Sequence, residues 1–261
     1  MMNHTHFIGI VGGVGPFAGL DLQYKIAQET AVGRDQDHLP VLSISYPGPI
    51  PDRTSYLLGE TAVNPAYPLA AQVRFLADMG ATVVGIPCNT AHAPAIWEVL
   101  RRQLAGCPVD LRHMIAEVGR FLQAQFPQVR RVGVLSTTGT YRAQIYPLTL
   151  RPLGLTVCVP TLAMQEGLVH TAVYHPQYGL KATGTVTPPA REALLTAAHA
   201  LQQQGAEAII LGCTEIPLAL TEPSWAGTPF IDATRVLAQA LIREFRAAPR
   251  DQQEPCPVSA T

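Results

Sequence analysis

Two stretches of this sequence recur half a chain apart. MGATVVGIPCNT (79–90) aligns with QGAEAIILGCTE (204–215), so that Gly80 falls on Gly205, Ala81 on Ala206 and Cys88 on Cys213, an offset of 125. GIVGGVG (9–15) aligns with GVLSTTG (133–139), with Gly9 on Gly133 and Gly15 on Gly139, an offset of 124. Two separate matches at nearly one spacing, in a chain of 261 residues, imply two similar halves. Each half has a Gly- or Thr-rich turn after its first strand and a cysteine at the end of a later strand.

The residues between these landmarks define the class of fold. FIGIV (7–11), VLSIS (41–45), TVVGI (82–86), RVGVL (131–135), LTVCV (155–159), AIIL (208–211) and TPFI (228–231) are short, rich in β-branched residues and bounded by turn formers. They read as buried strands. Between them, segments such as PLAAQVRFLADMG, REALLTAAHALQQQG and ATRVLAQALIREF space apolar residues three and four apart, the pattern of amphipathic helices. Strand and helix in alternation mean an α/β fold of two similar Rossmann-like domains with mostly parallel sheets, related by a pseudo-twofold.

Composition removes several classes of function. Hydrophobic residues make up 48% and charged residues 14% of the chain, against about 25% charged in an average soluble protein. That balance supports a large buried core. Eighteen basic and nineteen acidic side chains give a formal net charge of −1, without the broad basic field that nucleic acid demands. No apolar run is long enough to span a membrane, and MMNHTHFIGIVGG lacks the pattern of a signal peptide. A cytoplasmic protein is expected. The five cysteines (Cys88, Cys107, Cys158, Cys213 and Cys256) have no C-x-x-C spacing and read as free thiols. Cys256 lies in a polar tail (248–261) expected to be flexible.

In parallel α/β sheets, ligands gather beyond the C-terminal ends of the strands. Cys88 and Cys213 both fall there, each followed by helix-starting residues: Asn89 and Thr90 after the first, Thr214 and Glu215 after the second. A single cysteine in that position reads as a small buried hydrophobe. Two, at equivalent points of two halves, read as chemistry. At a helix N-terminus a thiol is expected to have a lowered pKa, and the free N–H groups suit a substrate carboxylate. Two acid/base groups serving one substrate fit the movement of a proton from one face of a carbon to the other. One thiolate removes the α-hydrogen and the opposite thiol protonates the other face.

With these residues in view, GIVGGVGP (9–16), IPDR (50–53), IPCNTAH (86–92), VGVLSTTGT (132–140) and LGCTEIPL (211–218), in that order, resemble the aspartate/glutamate racemase family, and most closely its aspartate racemase branch. The resemblance spans residue 7 to about 245. It implies a cofactor-independent amino-acid racemase, an isomerase without PLP or metal, that is commonly a homodimer with its active site in an interdomain cleft. Cys88 and Cys213 match the family's catalytic thiols. Asn89, Thr90 and Thr214 match residues that hold the α-carboxylate and amino group, and Val14, Ala91 and Thr138 complete the implied substrate-binding set. Arg53 matches an arginine that faces the side-chain carboxylate, and Lys181, in YGLKATG, stands where a substrate lysine is expected. Lys-Ala-Thr-Gly departs from the family's usual Lys-Ala-Gly or Lys-x-Gly, and Val14 replaces a frequent methionine. Two cations suit a dicarboxylic amino acid, with aspartate first and glutamate second. The resemblance also implies that 226–247 return to an N-terminal domain of residues 1–108, leaving 109–225 as the second domain.

Other readings stay open on the residues alone. His92, four positions after Cys88, would lie one turn down the same helix face, the arrangement of a Cys–His nucleophile for acyl transfer. That reading leaves Cys213 without a role. A broad-specificity or glutamate racemase, a Cys-dependent dicarboxylate isomerase and a non-catalytic carboxylate sensor are the remaining alternatives. Gly13-Val14-Gly15-Pro16-Phe17-Ala18 fits a dinucleotide fingerprint, but no acidic residue ends the next strand. The turn reads instead as a small-anion site. His4 and His6 make a poor metal pair, and His38, His113, His170, His175 and His199 read as packing or surface residues. The segment 171–190 has no clear periodicity and reads as a functional loop.

Overall fold

A computed structural model describes residues 6–248. It contains two compact units, one formed by residues 6–114 together with 237–248, the other by residues 115–236. The first unit holds a four-stranded parallel sheet in the order β2-β1-β3-β4, with β1 Phe7–Val11, β2 Val41–Ile44, β3 Ala81–Gly85 and β4 Asp110–Leu111. The second holds β5 Arg131–Ser136, β6 Thr156–Cys158, β7 Ala208–Gly212, β8 Ser224–Trp225 and β9 Thr228–Asp232, in the order β6-β5-β7-β9-β8. Among the described residues, only β8, a two-residue edge strand, runs antiparallel. Without β8, the two strand orders are the same, as the repeated segments imply.

The repeat has a packing origin. A Cβ on Gly9 would lie 2.8 Å from Val84 Cγ2 and 3.2 Å from both Ala81 Cβ and Leu76 Cδ1. At the aligned Gly133, a Cβ would lie 3.1 Å from Leu201 and 3.2 Å from Ala206 Cβ. In each unit, a glycine on the first strand lets a helix leucine and a small residue at or just before the cysteine-bearing strand close against it. Those helices, Ala66–Asp78 and Pro188–Gln203, bury Leu69, Val73 and Leu76 in one case and Leu194, Ala197 and Leu201 in the other. Parallel sheets need both faces covered, and β3 and β7 are buried at every residue.

The expected domain limits need correction. β4 pairs with β3, so residues 110–111 belong with the first sheet and not with a second domain starting at 109. β9 hydrogen-bonds β7, so residues 228–232 stay in the second sheet and do not return to the first domain. The returning piece is the helix alone. Within Ala233–Ala247, Leu237 and Leu241 pack at Gly85, and Gln239 donates to Glu29 at 2.9 Å. The helix Met114–Gln125, which follows β4, packs from Gly119 on Leu150 and Leu153 of the second unit. The helix after the last parallel strand of each sheet therefore covers the opposite unit.

The segment 171–190 is not a plain loop. It contains the helices Thr171–Tyr174 and Leu180–Thr183 and the start of Pro188–Gln203. Cys88, Cys158 and Cys213 are free thiols, whereas Cys107 is disulfide-bonded, contrary to expectation. The expected tail with Cys256 lies outside the described residues. Among the described residues, no helix is long and apolar enough to cross a membrane.

Candidate active site

In the first unit, three chain turns meet beyond the C-terminal ends of the strands. The β1 turn is fixed by Gly12 N–H donating to Ile44 O at 2.7 Å. Gly13 follows with φ +77°, where a Cβ would lie 2.9 Å from Pro47 N. That position requires glycine both for its left-handed backbone and for its space. Val14 is buried at the tip and Gly15 leads into the helix Pro16–Glu29.

The second turn carries Cys88. Its N–H donates to Ile86 O at 2.8 Å, and its carbonyl accepts from Ala91 N–H at 3.1 Å. A 3₁₀ turn, Asn89–His92, separates the cysteine from the helix Pro94–Gln103. The expected direct strand-to-helix junction is thus interrupted, because Pro94 supplies the natural first position of the longer helix. Asn89, Thr90 and Ala91 are all buried, Ala91 completely.

The third turn explains the Pro-Asp-Arg motif locally. Asp52 Oδ1 accepts from Ser55 N–H at 2.9 Å and caps the short helix Arg53–Leu57. Arg53 is thus the first residue of a helix, partly buried, and its Nη1 donates to Pro51 O at 3.3 Å. This helix contacts the Asn89–His92 turn. Asn64 ties the neighbourhood together, donating to Tyr56 Oη at 2.9 Å and to Ala95 O at 3.0 Å. Val14, Arg53, Cys88, Asn89, Thr90 and Ala91 therefore all belong to the strand-end turns of one unit.

His92 does not serve Cys88. Its Nε2 engages Ile86 O at 3.2 Å, and its Nδ1 has no hydrogen-bond partner among the described residues. The ring sits 4.8 Å from that of Trp97 and 4.7 Å from that of His113. Burial, followed by the nearby His113, pushes its pKa well below that of an ordinary histidine. It is a neutral core ring, and the acyl-transfer reading loses its base.

The second unit repeats the plan with different chemistry. Thr137 caps the helix Thr138–Arg142 at the end of β5, and Thr138 occupies the position aligned with Val14. Thr138 Oγ1 lies 3.1 Å from His170 Nδ1, and the His170 ring stacks on Tyr174 at 4.8 Å. His170, expected to be a packing or surface residue, therefore borders the candidate site. It closes a π-helical segment, Gln165–His170, a feature common at functional sites. Lys181 Nζ lies 5.8 Å from the centre of the Tyr174 ring, a cation–π distance.

Cys213 is buried beyond β7, and its carbonyl accepts from Ile216 N–H at 3.0 Å, the counterpart of the Cys88–Ala91 bond. Its Sγ–H points to Glu215 Oε2 at 3.0 Å, and Thr214 Oγ1 donates to the same oxygen at 3.1 Å. The other carboxylate oxygen of Glu215 binds Lys181 Nζ in an ion pair. Burial works against the charge of Glu215, but Lys181 and the three hydrogen bonds outweigh it and hold the carboxyl below its usual range. Burial likewise opposes the Lys181 ammonium, and Glu215 outweighs that too, so its pKa is raised.

The electrostatics at Cys213 reverse the expectation of a lowered thiol pKa. Burial first, and then the adjacent Glu215 carboxylate, push the thiol well above its ordinary value, with Lys181 pulling the other way. The helix that follows, Ile216–Ala219, is a single turn, too short for the dipole effect the sequence suggested. Cys213 is a thiol at rest. Glu215 was legible only as a helix-starting residue; a carboxylate two positions after a strand-end cysteine was the available signal. Tyr174 was marked only by lying in the aperiodic segment 171–190, and His170 left no signal, because the π-helical register that brings it in has no periodic signature.

The family model for Asp/Glu/Hydantoin racemase matches residues 11–241. A glutamate racemase of Listeria monocytogenes serotype 4a is 28% identical over 180 residues, 65% of this chain and 62% of that protein. The match thus spans less than two thirds of that relative's length. Among solved structures, an aspartate racemase of Picrophilus torridus is similar with a TM-score of 0.76 and 25% identity, covering 92% of this chain and 94% of that one. An aspartate racemase homologue from Pyrococcus horikoshii OT3 shares the fold with a TM-score of 0.69 and 24% identity, over 92% and 99% of the two chains.

Proposed function

From the premise that this chain belongs to the Asp/Glu/hydantoin racemase family, we propose that it racemises an acidic amino acid, aspartate first, without PLP or metal. The observation that carries this reading is a cysteine beyond the C-terminal end of the corresponding strand in each sheet, Cys88 after β3 and Cys213 after β7. Their carbonyls make the same turn hydrogen bond. A single base returns a proton to the face it came from. With paired thiols, the Cα–H bond breaks as its proton passes to one thiolate, and the other S–H bond breaks as its proton is delivered to the opposite face. The roles exchange for the other enantiomer, so each turnover leaves one thiol and one thiolate.

The remaining assignments follow from residue chemistry. Asn89, Thr90, Thr214 and the turns holding Val14, Ala91 and Thr138 supply donors for the α-carboxylate and the carbanion that develops beside it. Val14 and Ala91 are fully buried, so their contribution would come from the backbone. Arg53, whose guanidinium can grip a carboxylate in two places, and Lys181 serve the distal carboxylate. Glutamate is the second substrate, favoured by the glutamate racemase among the similar proteins. The resemblance also carries a cytoplasmic homodimer, which light scattering on the purified protein tests for its oligomeric part.

A chiral assay across the common amino acids, without added cofactor, is the direct test, with acidic amino acids expected to turn over fastest. Cys88→Ala and Cys213→Ala should each abolish racemisation while retaining α-hydrogen exchange with deuterated water from one enantiomer only, a different one in each variant. Near-normal turnover by either variant would refute the two-thiol assignment. Binding without exchange in the unaltered protein would make it a sensor.

A further inference from the structure

Glu215 is shared. One carboxylate oxygen accepts from Cys213 Sγ and Thr214 Oγ1, and the other binds the Lys181 ammonium. The carboxylate and the sulfur are almost fully buried, whereas about a quarter of the Lys181 side chain is exposed. The most exposed member of the trio is therefore the cation that keeps Glu215 ionised. Cys213 and Glu215 are in direct contact and both almost fully buried, so a second negative charge placed beside the carboxylate would have little solvent to screen it. A thiolate at Cys213 must therefore form without raising the total charge of the Cys213–Glu215 pair.

We propose that Lys181, Glu215 and Cys213 form a ligand-operated proton relay, in which a dicarboxylate drawing Lys181 to its distal carboxylate releases Glu215 to take the Cys213 proton. The S–H bond breaks, the proton moves to Glu215 Oε2, and the pair keeps one negative charge throughout, now on sulfur. Lys181 touches Glu215 directly and Cys213 only through it, so removing the cation strengthens the carboxylate as a base more than it strengthens the thiolate. Glu215 is a positioning residue acting through Cys213. When the Cys213 thiolate takes the Cα proton, the pair holds two protons and is neutral; in the opposite direction Cys213 donates its S–H proton from that neutral state, and the pair returns to one negative charge with Glu215 still protonated. Selection of a dicarboxylic substrate then falls on the chemical step as well as on binding. Tyr174, against which Lys181 rests, gives the cation a second support while it is shared.

The inference rests on the proposed racemase reading for its substrate, and its test is kept separate from turnover. The probe is succinate, a dicarboxylate without an amino group, with propionate as the monocarboxylate control. Cys213 thiolate is read by ultraviolet absorbance at neutral pH in the Cys88→Ser, Cys158→Ser protein, against the same protein with Cys213→Ser as blank. Succinate should raise the thiolate signal and propionate should not. Glu215→Gln should abolish or reverse the succinate response, because Lys181 then stabilises the sulfur directly and the ligand withdraws it. Lys181→Met should show raised thiolate with no ligand present, whereas simple loss of a neighbouring cation would lower it.

In turnover, Glu215→Gln should lower kcat for aspartate by about a hundredfold, the low end of general acid–base contributions, with KM nearly unchanged. Succinate that binds by calorimetry without raising thiolate, or fails to bind, overturns the relay, as does a Lys181→Met protein with low resting thiolate. If aspartate is racemised and succinate changes nothing, the relay fails and the racemase reading stands. If succinate raises thiolate and no amino acid is racemised, the reading fails and the relay stands.

Discussion

Truncating Leu241 to alanine probes the contact that attaches the last helix to the first sheet. Leu241 is fully buried and faces Gly85, where an added Cβ would lie 2.7 Å from Leu241 Cδ1 and 3.4 Å from Leu237 Cδ2. Buried leucine-to-alanine changes cost about 2–5 kcal/mol, more where the surroundings cannot collapse into the void. Gly85 has no side chain to move into the space, and β3 is held by hydrogen bonds on both sides. Leu241→Ala should therefore cost about 3–4 kcal/mol. Gly85→Ala alone forces the leucine aside and should cost about 1–3 kcal/mol as overpacking. Combined, the new methyl occupies part of the vacated space, so the double variant should be about 1–2 kcal/mol less destabilised than the sum of the singles.

The assay is urea unfolding followed by tryptophan fluorescence. The chain has two tryptophans; in a Trp225→Phe background, Trp97, packed against His92 and His113, reports on the first unit alone. A shared slope across the four proteins would keep the comparison within one unfolding transition. Single costs that add to within about 0.5 kcal/mol would refute the packing of the helix at Gly85.

Three further outcomes are expected. Glu215→Gln removes a charge that holds the Cys213 thiol pKa up and leaves Lys181, which lowers it; iodoacetamide labelling of Cys213, followed by peptide mass spectrometry, should begin at lower pH, and an unchanged or upward-shifted profile contradicts the electrostatics. Gly13→Ala meets both the positive φ and Pro47 N at 2.9 Å, so it should destabilise the first unit by about 1–3 kcal/mol and depress activity; a variant with native midpoint and kcat would show the turn to be tolerant. Arg53→Gln should shift relative kcat/KM away from acidic amino acids, and unchanged ratios across acidic and neutral substrates would remove Arg53 from the distal carboxylate.

The seven strands read from the sequence all form, because each is a short β-branched run between turn residues, a local signal that the two sheets reinforce. The repeated Gly–Ala pairs were legible for the same reason: Gly9 with Ala81 and Gly133 with Ala206 are close-packing contacts that leave no choice of residue. β4 and β8, with two residues each, carry too little pattern to be seen. The last strand and the last helix part company in a way no local pattern shows: β9 follows β7 by hydrogen bonding, and the helix follows Gly85 by side-chain packing. At the candidate site, residue types and their strand-end positions were legible, and electrostatics were not. The thiol pKa of Cys213 depends on burial and on a carboxylate whose orientation is decided by Lys181, 34 positions away.

The crossing of the two terminal helices limits how this molecule can be divided. A fragment ending after β9 would lack the cover for β3 at Gly85, and one beginning at β5 would lack the helix that fills the space over Leu150 and Leu153. Neither half is a self-sufficient piece of polypeptide.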